Sequence, residues 1–307
     1  MESTLSRPTQ LSEPRADEPQ RAFLQLSLGH ILAWLALVIL AILWLTPLVW
    51  MLSTSLKTPQ DLFGFRWIPQ PVAWNNYIDA FSFGMWDRWA INTIIITVLS
   101  VIGVVFSSAM VAYSFSRLRW VGRETVFKLV LATMMLPSVV TLIPQFILFA
   151  RLPAFGIQGS AVWVNTFLPL TVPAFTANAF YIFLLRQFMR GIPNELSEAA
   201  KLDGASELRV WWSIVIPLSK PALAAISIFA FQGAWQDFMG PLIYLQSERL
   251  YTLQIGLRQY EFAFGGSPAW NWLMAASLIV MLPVLLVFLA FQRYFIEGVT
   301  ITGMGGR

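Results

Sequence analysis

The sequence predicts an all-α integral membrane protein of six transmembrane helices, and three observations lead there. Hydrophobic residues make up 57% of the 307-residue chain and charged residues only 12%. That charged share is about half of what soluble domains carry. Mean hydropathy is +0.65, so there are too few charges to cover a soluble particle of this size. Long charge-free runs then recur along the chain, each exceeding the roughly 20 residues a helix needs to cross about 30 Å of hydrocarbon.

A charge at mid-bilayer costs about 2.5–3.5 kcal/mol or more, so gaps between charges mark the spans. Such gaps lie between His30 and Lys57, Arg88 and Arg117, Lys128 and Arg151, Arg151 and Arg186, and Glu261 and Arg293. A sixth begins after Lys220 and meets only Asp237 before Glu248. The helices fall at 30–53, 89–115, 125–150, 161–186, 219–244 and 271–295, within a transmembrane region of 30–296. An even number of crossings places both termini on one side. With cytoplasmic termini, 14 Lys and Arg lie on inner segments, against 6 outside: Lys57, Arg66, Arg88, Arg151, Arg249 and Arg258. The positive-inside rule selects that orientation.

Residues 1–29 read as a disordered cytosolic tail, mixing Ser, Pro, Gln and both charge signs, and 297–307 as a cytosolic C-terminal tail. The first apolar run is too long and starts too late for a cleaved secretory signal. Outer loops are expected at 54–88 and 245–270. Trp67, Trp74, Trp86, Trp89, Trp270 and Trp272 fall near the outer interface, where indole rings anchor helices. One histidine, His30, and no cysteine exclude the usual soft-metal sites and Cys/His or Ser/His/Asp catalysis. None of the four lysines, Lys57, Lys128, Lys201 and Lys220, follows a glycine, so the chain lacks a phosphate loop. Energy for any uphill work must come from a partner or an ion gradient. Membrane lipids are expected neighbours and nucleic acid is not.

One inner segment, 191–218, departs from a generic membrane protein. Pro193 and Asn194 signal a helix start, and Glu195 and Glu198 set negative charge near the positive end of its dipole. Leu196, Ala199 and Ala200 lie at i, i+3 and i+4 and offer small apolar groups to an approaching surface. Gly204 ends the helix, because glycine takes the left-handed conformation cheaply. Ser206 and Glu207 start a second short helix through Trp211 and Trp212 to Pro217. A lipid-surface hairpin would be basic, since inner-leaflet lipids are anionic. This one carries Glu195, Glu198 and Asp203 beside the single Lys201, which favours a protein partner.

Glu198, Ala199 and Ala200, then Gly204, Ile214, Ile216 and Pro217, resemble the EAA loop of ABC importer permeases at every spacing, with Ile216 where leucine is commoner. Flanking patches resemble the carbohydrate-importer permeases of the smaller maltose-permease type. They are Asn92–Thr93, Ala112–Arg117 (AYSFSR), Met134–Pro137 (MMLP), Phe183–Phe188 (FLLRQF), Leu202–Ala205 (LDGA) and Gln292–Phe295 (QRYF). The resemblance implies a type I ABC importer fold with a cytosolic coupling helix–turn–helix between helices four and five. It also implies a bacterial cytoplasmic (inner) membrane location. Glu195, Glu198, Ala199, Ala200, Asp203, Gly204, Ile214 and Pro217 would be the ATPase-coupling residues. The implied partners are a second homologous permease, an ATP-binding cassette ATPase dimer and an extracytoplasmic solute-binding protein. ATP and Mg would act in the ATPase subunits, with no cofactor in this chain. Family members commonly have Trp-Asn-Asp/Glu-Phe in helix five, where this chain has Trp235, Gln236, Asp237 and Phe238. Its ending, GVTITGMGGR, also departs from the frequent lysine-glycine.

The solute pathway is less pointed. Pro137, Pro144, Pro169, Pro173 and Pro283 break or bend helices, as helices lining cavities often are. Asp237, with Trp235 and Gln236 beside it, is a candidate for the translocation pathway or for a structural hydrogen bond to a neighbouring subunit. An ion-coupled secondary transporter is the alternative, with Asp237 as its clear intramembrane acid. A membrane-embedded enzyme finds no cluster of catalytic groups.

Overall fold

The computed structural model describes residues 28–262 and 269–303. Most of the 1–29 tail and the last four residues of the C-terminal tail lie outside them. Among the described residues the chain is helical, with one antiparallel bridge, Pro153–Val162, and no extended strand. It divides after Val49. The first unit is α1 (Leu28–Ser55) up to that residue, apolar and exposed around its circumference. Pro47 sits inside it, where the missing N–H would leave a carbonyl open, and the Thr46 hydroxyl donates to the Ile42 carbonyl at 2.7 Å one step earlier.

In the second unit a short helix, α2 (Asn76–Ser82), precedes α3 (Trp86–Arg117), an unbroken helix of 32 residues. One face of it is buried from end to end, by different partners at each end. Toward Arg117, Ala109, Ala112 and Phe115 pack with Leu185, Met189, Val210, Trp211, Val215 and Ile226. Toward Trp86, Trp86 and Trp89 pack with Trp235, Tyr260 and Ala276. Trp89 fills a slot between two glycines: a Cβ at Gly84 or Gly256 would run into its ring. Its indole N–H donates to the Glu248 carbonyl at 2.9 Å. Of the tryptophans expected at the outer interface, Trp67, Trp74 and Trp270 are exposed, Trp272 is half-buried, and Trp86 and Trp89 are core residues.

Three of the predicted spans are interrupted. The third is two helices, α4 (Arg123–Thr133) and α5 (Ser138–Phe149), with Met134–Pro137 between. Pro137 has no N–H and pushes the residue before it away from helical geometry. The fourth begins at Leu168 rather than 161. It runs as α6 (Leu168–Thr171), a 3₁₀ segment (Val172–Thr176), and α7 (Ala179–Arg190). Pro169 and Pro173 break the ladder, Ala177 takes φ 67°, and the Asn178 side chain restarts the helix by accepting from the amides of Phe180 and Tyr181. Next come α8 (Asn194–Leu202), α9 (Glu207–Val210), a π-helical turn (Trp211–Val215) and α10 (Ile216–Leu218). The fifth span is α11 (Lys220–Trp235) followed by α12 (Met239–Tyr244). After α13 (Leu253–Arg258), α14 runs from Trp270 to Gly303, past the expected end at 295.

Four stretches are long and apolar enough to cross a membrane alone: Gly29–Ser55, Trp86–Arg117, Leu168–Arg190 and Trp270–Gln292. A fifth counts if Glu207–Leu218 and Lys220–Trp235, bent by 79°, are one span. The described residues thus belong to an integral membrane protein, with four to five spans long and apolar enough by themselves.

Candidate functional site

The segment expected to couple to a partner is a helical hairpin whose turns obey local rules. Pro193 caps α8 with extended ψ 135°, so the chain leaves α7 at an angle. At the other end the Ala205 amide donates to the Ala200 carbonyl at 2.9 Å and the Gly204 amide to Lys201 at 3.0 Å. This is the Schellman arrangement, and it places Gly204 at φ 85°. Ser206 then caps α9, its hydroxyl accepting from the Arg209 amide. Within the π-helical turn the Ile216 amide reaches back to Trp211, and Pro217 has no amide to offer. The chain turns by 79° about Ser219 into α11.

The predicted coupling residues separate by face. Glu195, Leu196, Glu198, Ala199, Leu202, Asp203 and Gly204 are exposed, and Leu202 is 90% accessible. Ala200 instead packs toward the core, so the small pair Ala199–Ala200 is split between the two surfaces. A Cβ added at Gly204 meets nothing within 4 Å. Ile214 is half-buried and Pro217 exposed, while Trp211 and Val215 plug the core beneath.

Side chains that sequence reasoning did not single out hold this hairpin. Arg117, the last residue of α3, donates to the carbonyls of Met189 at 2.6 Å and Ile192, and to the Asn194 side chain. It thereby closes the turn between α7 and α8. The Tyr113 hydroxyl donates to Glu207 Oε2 at 2.8 Å, and Lys201 Nζ pairs with Oε1 at 2.5 Å. The hydrogen bond from Lys201 is the largest influence holding the Glu207 carboxyl below its ordinary range; desolvation works against it and the Tyr113 hydroxyl adds to it. Glu207 is therefore ionised at neutral pH. Arg186 of α7 is buried and donates to both oxygens of Glu124 at 2.7 and 2.8 Å and to the Phe115 carbonyl at 3.1 Å. Its guanidinium also lies 3.9 Å from the centre of the Phe127 ring. Tyr113 and Arg117 belong to the AYSFSR patch and Arg186 to FLLRQF, so the only sequence signal for them was motif membership.

The three pathway candidates occupy three different settings. Trp235 is buried, its indole N–H donating to the Val280 carbonyl at 3.1 Å. Gln236 is exposed at the end of α11. Asp237 is half-buried, accepts from the Gly240 amide at 3.1 Å and borders a cavity of about 230 Å³ that Ser100, Leu170, Tyr181 and Ala234 also line. No three His, Cys, Asp or Glu side chains come together as a metal site among the described residues.

The family model described as binding-protein-dependent transport system inner membrane component matches residues 103–301. The arabinooligosaccharides transport system permease protein AraQ of Bacillus subtilis (strain 168) is 31% identical over 287 residues, covering 92% of this chain and 98% of that one. The melibiose/raffinose/stachyose import permease protein MelC of the same organism is 32% identical over 260 residues, covering 83% and 89%. A chain of a bacterial ABC transporter involved in import of the acidic polysaccharide alginate shares the fold, with a TM-score of 0.73 and 24% identity, covering 87% of this chain and 96% of its own. A second alginate ABC transporter chain, solved with an alginate pentasaccharide-bound periplasmic protein, aligns with a TM-score of 0.63 and 14% identity, covering 86% and 93%. The chain belongs to the binding-protein-dependent transport system inner membrane components, as a transport permease subunit of the kind found in sugar ABC importers.

Proposed function

We propose that this chain forms half of the transmembrane pathway of an ATP-driven carbohydrate importer in a bacterial cytoplasmic membrane. A second, related permease supplies the other half. Counting α4 with α5 as one crossing, and α11 with α12 as another, gives six crossings with both termini cytoplasmic. Residues 191–218 dock into a pair of ATP-binding cassette ATPases, where ATP and magnesium act, through Glu195, Glu198, Ala199, Asp203 and Gly204. Ala200, Ile214 and Pro217 fix the hairpin behind that face. The solute arrives on an extracytoplasmic binding protein, as the periplasmic partner of the alginate transporter suggests, and an oligosaccharide cargo is in keeping with AraQ and MelC.

The observation that carries this reading is the acidic, small-residue face of α8, turned away from its own core and ending at a glycine with open space beyond it. ATP binding closes the ATPases, displaces the hairpin and tips the bundle to its outward-open state; hydrolysis reverses it. Such an effector shifts the balance only by its differential affinity for the two states, so the hairpin must be gripped in both.

The test is uptake of labelled arabinooligosaccharides, melibiose, raffinose and stachyose into vesicles holding the complex. Uptake is expected to follow internal ATP and to persist when the proton gradient is collapsed. An ion-coupled carrier would give the opposite result. In the same assay Asp237→Asn separates its two roles: a changed dependence on solute concentration assigns it to the pathway, and unchanged dependence with reduced assembly assigns it to packing.

A further inference from the structure

The hairpin is continuous in sequence with α7 and α11, yet both of its junctions are bent. At one end Pro193 breaks the run from α7 into α8, and at the other the chain turns by 79° about Ser219. A lever with a hinge at each end swings without moving what it is attached to. The contacts that remove this freedom come from α3, which is remote in sequence. Tyr113 and Arg117 stand four residues apart and so share one face of that helix. Arg117 holds the carbonyls and side chain at the Pro193 turn. Through Tyr113, one carboxylate, Glu207, is tied at once to α3 and to Lys201 in the last turn of α8. Beneath it Val210, Trp211 and Val215 pack against Ala109 and Ala112 of the same helix.

We infer that α3 is the element that receives the hairpin's displacement, and that Tyr113 and Glu207 are positioning residues that lock the hairpin to it. This rests on the reading of 191–218 as the ATPase-docking segment. The Lys201 and Glu207 side chains are 44% and 48% exposed, and exposed ion pairs add little to stability. Their service is stiffness: the link leaves the hairpin one way to move, together with α3.

The experiment places spin labels at Leu202→Cys on α8 and Met110→Cys on α3, both exposed, in a chain with no other cysteine. Distances are read in the assembled complex with and without Mg·ATP and vanadate. Without further substitution, the separation is expected to stay within about 2 Å between the two states, as for two parts of one rigid body. In Glu207→Gln and in Tyr113→Phe the distribution is expected to broaden and to shift by about 5 Å or more on adding nucleotide, with the double variant no worse than either single one, because both remove the same link. Unchanged distributions in both single variants would overturn the inference. Should Tyr113→Phe fail to accumulate, Lys201→Gln takes its place with the same expected shift. Failure of the docking reading looks different: the Leu202 label would then keep its mobility when ATPase subunits are added, whereas here it is immobilised by them in every variant.

Discussion

Glu198→Lys is expected to abolish ATP-driven uptake while the chain still inserts and accumulates in the membrane. The side chain is exposed on the outer face of α8, and surface substitutions of this kind change folding stability by about 0.5 kcal/mol or less. In a docked interface the same change sets a cation where an anion was accepted, and a reversed charge there costs several kcal/mol, so uptake should fall by roughly a hundredfold or more. Gly204→Ala tests the same surface sterically. The left-handed conformation costs an alanine about 1–2 kcal/mol, and its methyl group meets nothing in this chain. A loss of uptake larger than that local strain explains must therefore come from the surface that approaches the turn. Uptake normalised to membrane-inserted protein checks both variants; near-normal transport in both would remove the coupling role assigned to this face.

Trp89→Ala is expected to have the largest effect on the fold itself. The ring is fully buried, seated between Gly84 and Gly256, stacked edge-on against Trp86 at 5.2 Å and bonded through its indole to the Glu248 carbonyl. Its removal leaves a cavity that two glycines do not fill and one carbonyl without its donor, a loss of about 3–5 kcal/mol. Gly256→Ala should act in the same direction by pushing the ring out of its slot. The melting temperature of the detergent-purified subunit reads both. Because Trp89 packs at the opposite end of α3 from the hairpin, surviving Trp89→Ala complexes should still bind ATPase subunits.

What the sequence made legible followed from short-range rules. The charge-free run from Trp89 to Ser116 is long enough to announce α3 by itself, and Pro193, Gly204 and Ser206 mark the hairpin's turns because each acts on its immediate neighbours. Hydropathy averaged over a span does not see where a helix breaks: Pro137, Pro169 and Pro173 mark kinks in the sequence, yet 125–150 and 161–186 still read as single helices. The anchors of the hairpin were illegible for another reason. Tyr113 and Glu207 are separated by 94 residues and Arg117 and Asn194 by 77, and no local pattern pairs them. The burial of Trp89 is illegible too, because an indole at a helix start reads the same whether it faces headgroups or a pair of glycines.

The pathway assignment shows the same limit. Trp235, Gln236 and Asp237 are adjacent, and adjacency suggested a shared role. At the end of a helix three consecutive side chains point in three directions: one into the core, one to the exterior and one to a cavity beside Ser100 and Tyr181. Of the three, Asp237 alone lines that cavity.

The account stands on the claim that residues 191–218 face the cytosol and are covered by the ATPases. A single Leu202→Cys in this cysteine-free chain, challenged with a membrane-impermeant thiol reagent, tests it directly. The reagent is expected to label inside-out vesicles stripped of ATPase, to be blocked when the ATPase subunits are restored, and to leave right-side-out vesicles unlabelled. Labelling of right-side-out vesicles, or labelling of inside-out vesicles that the ATPases do not block, would contradict it.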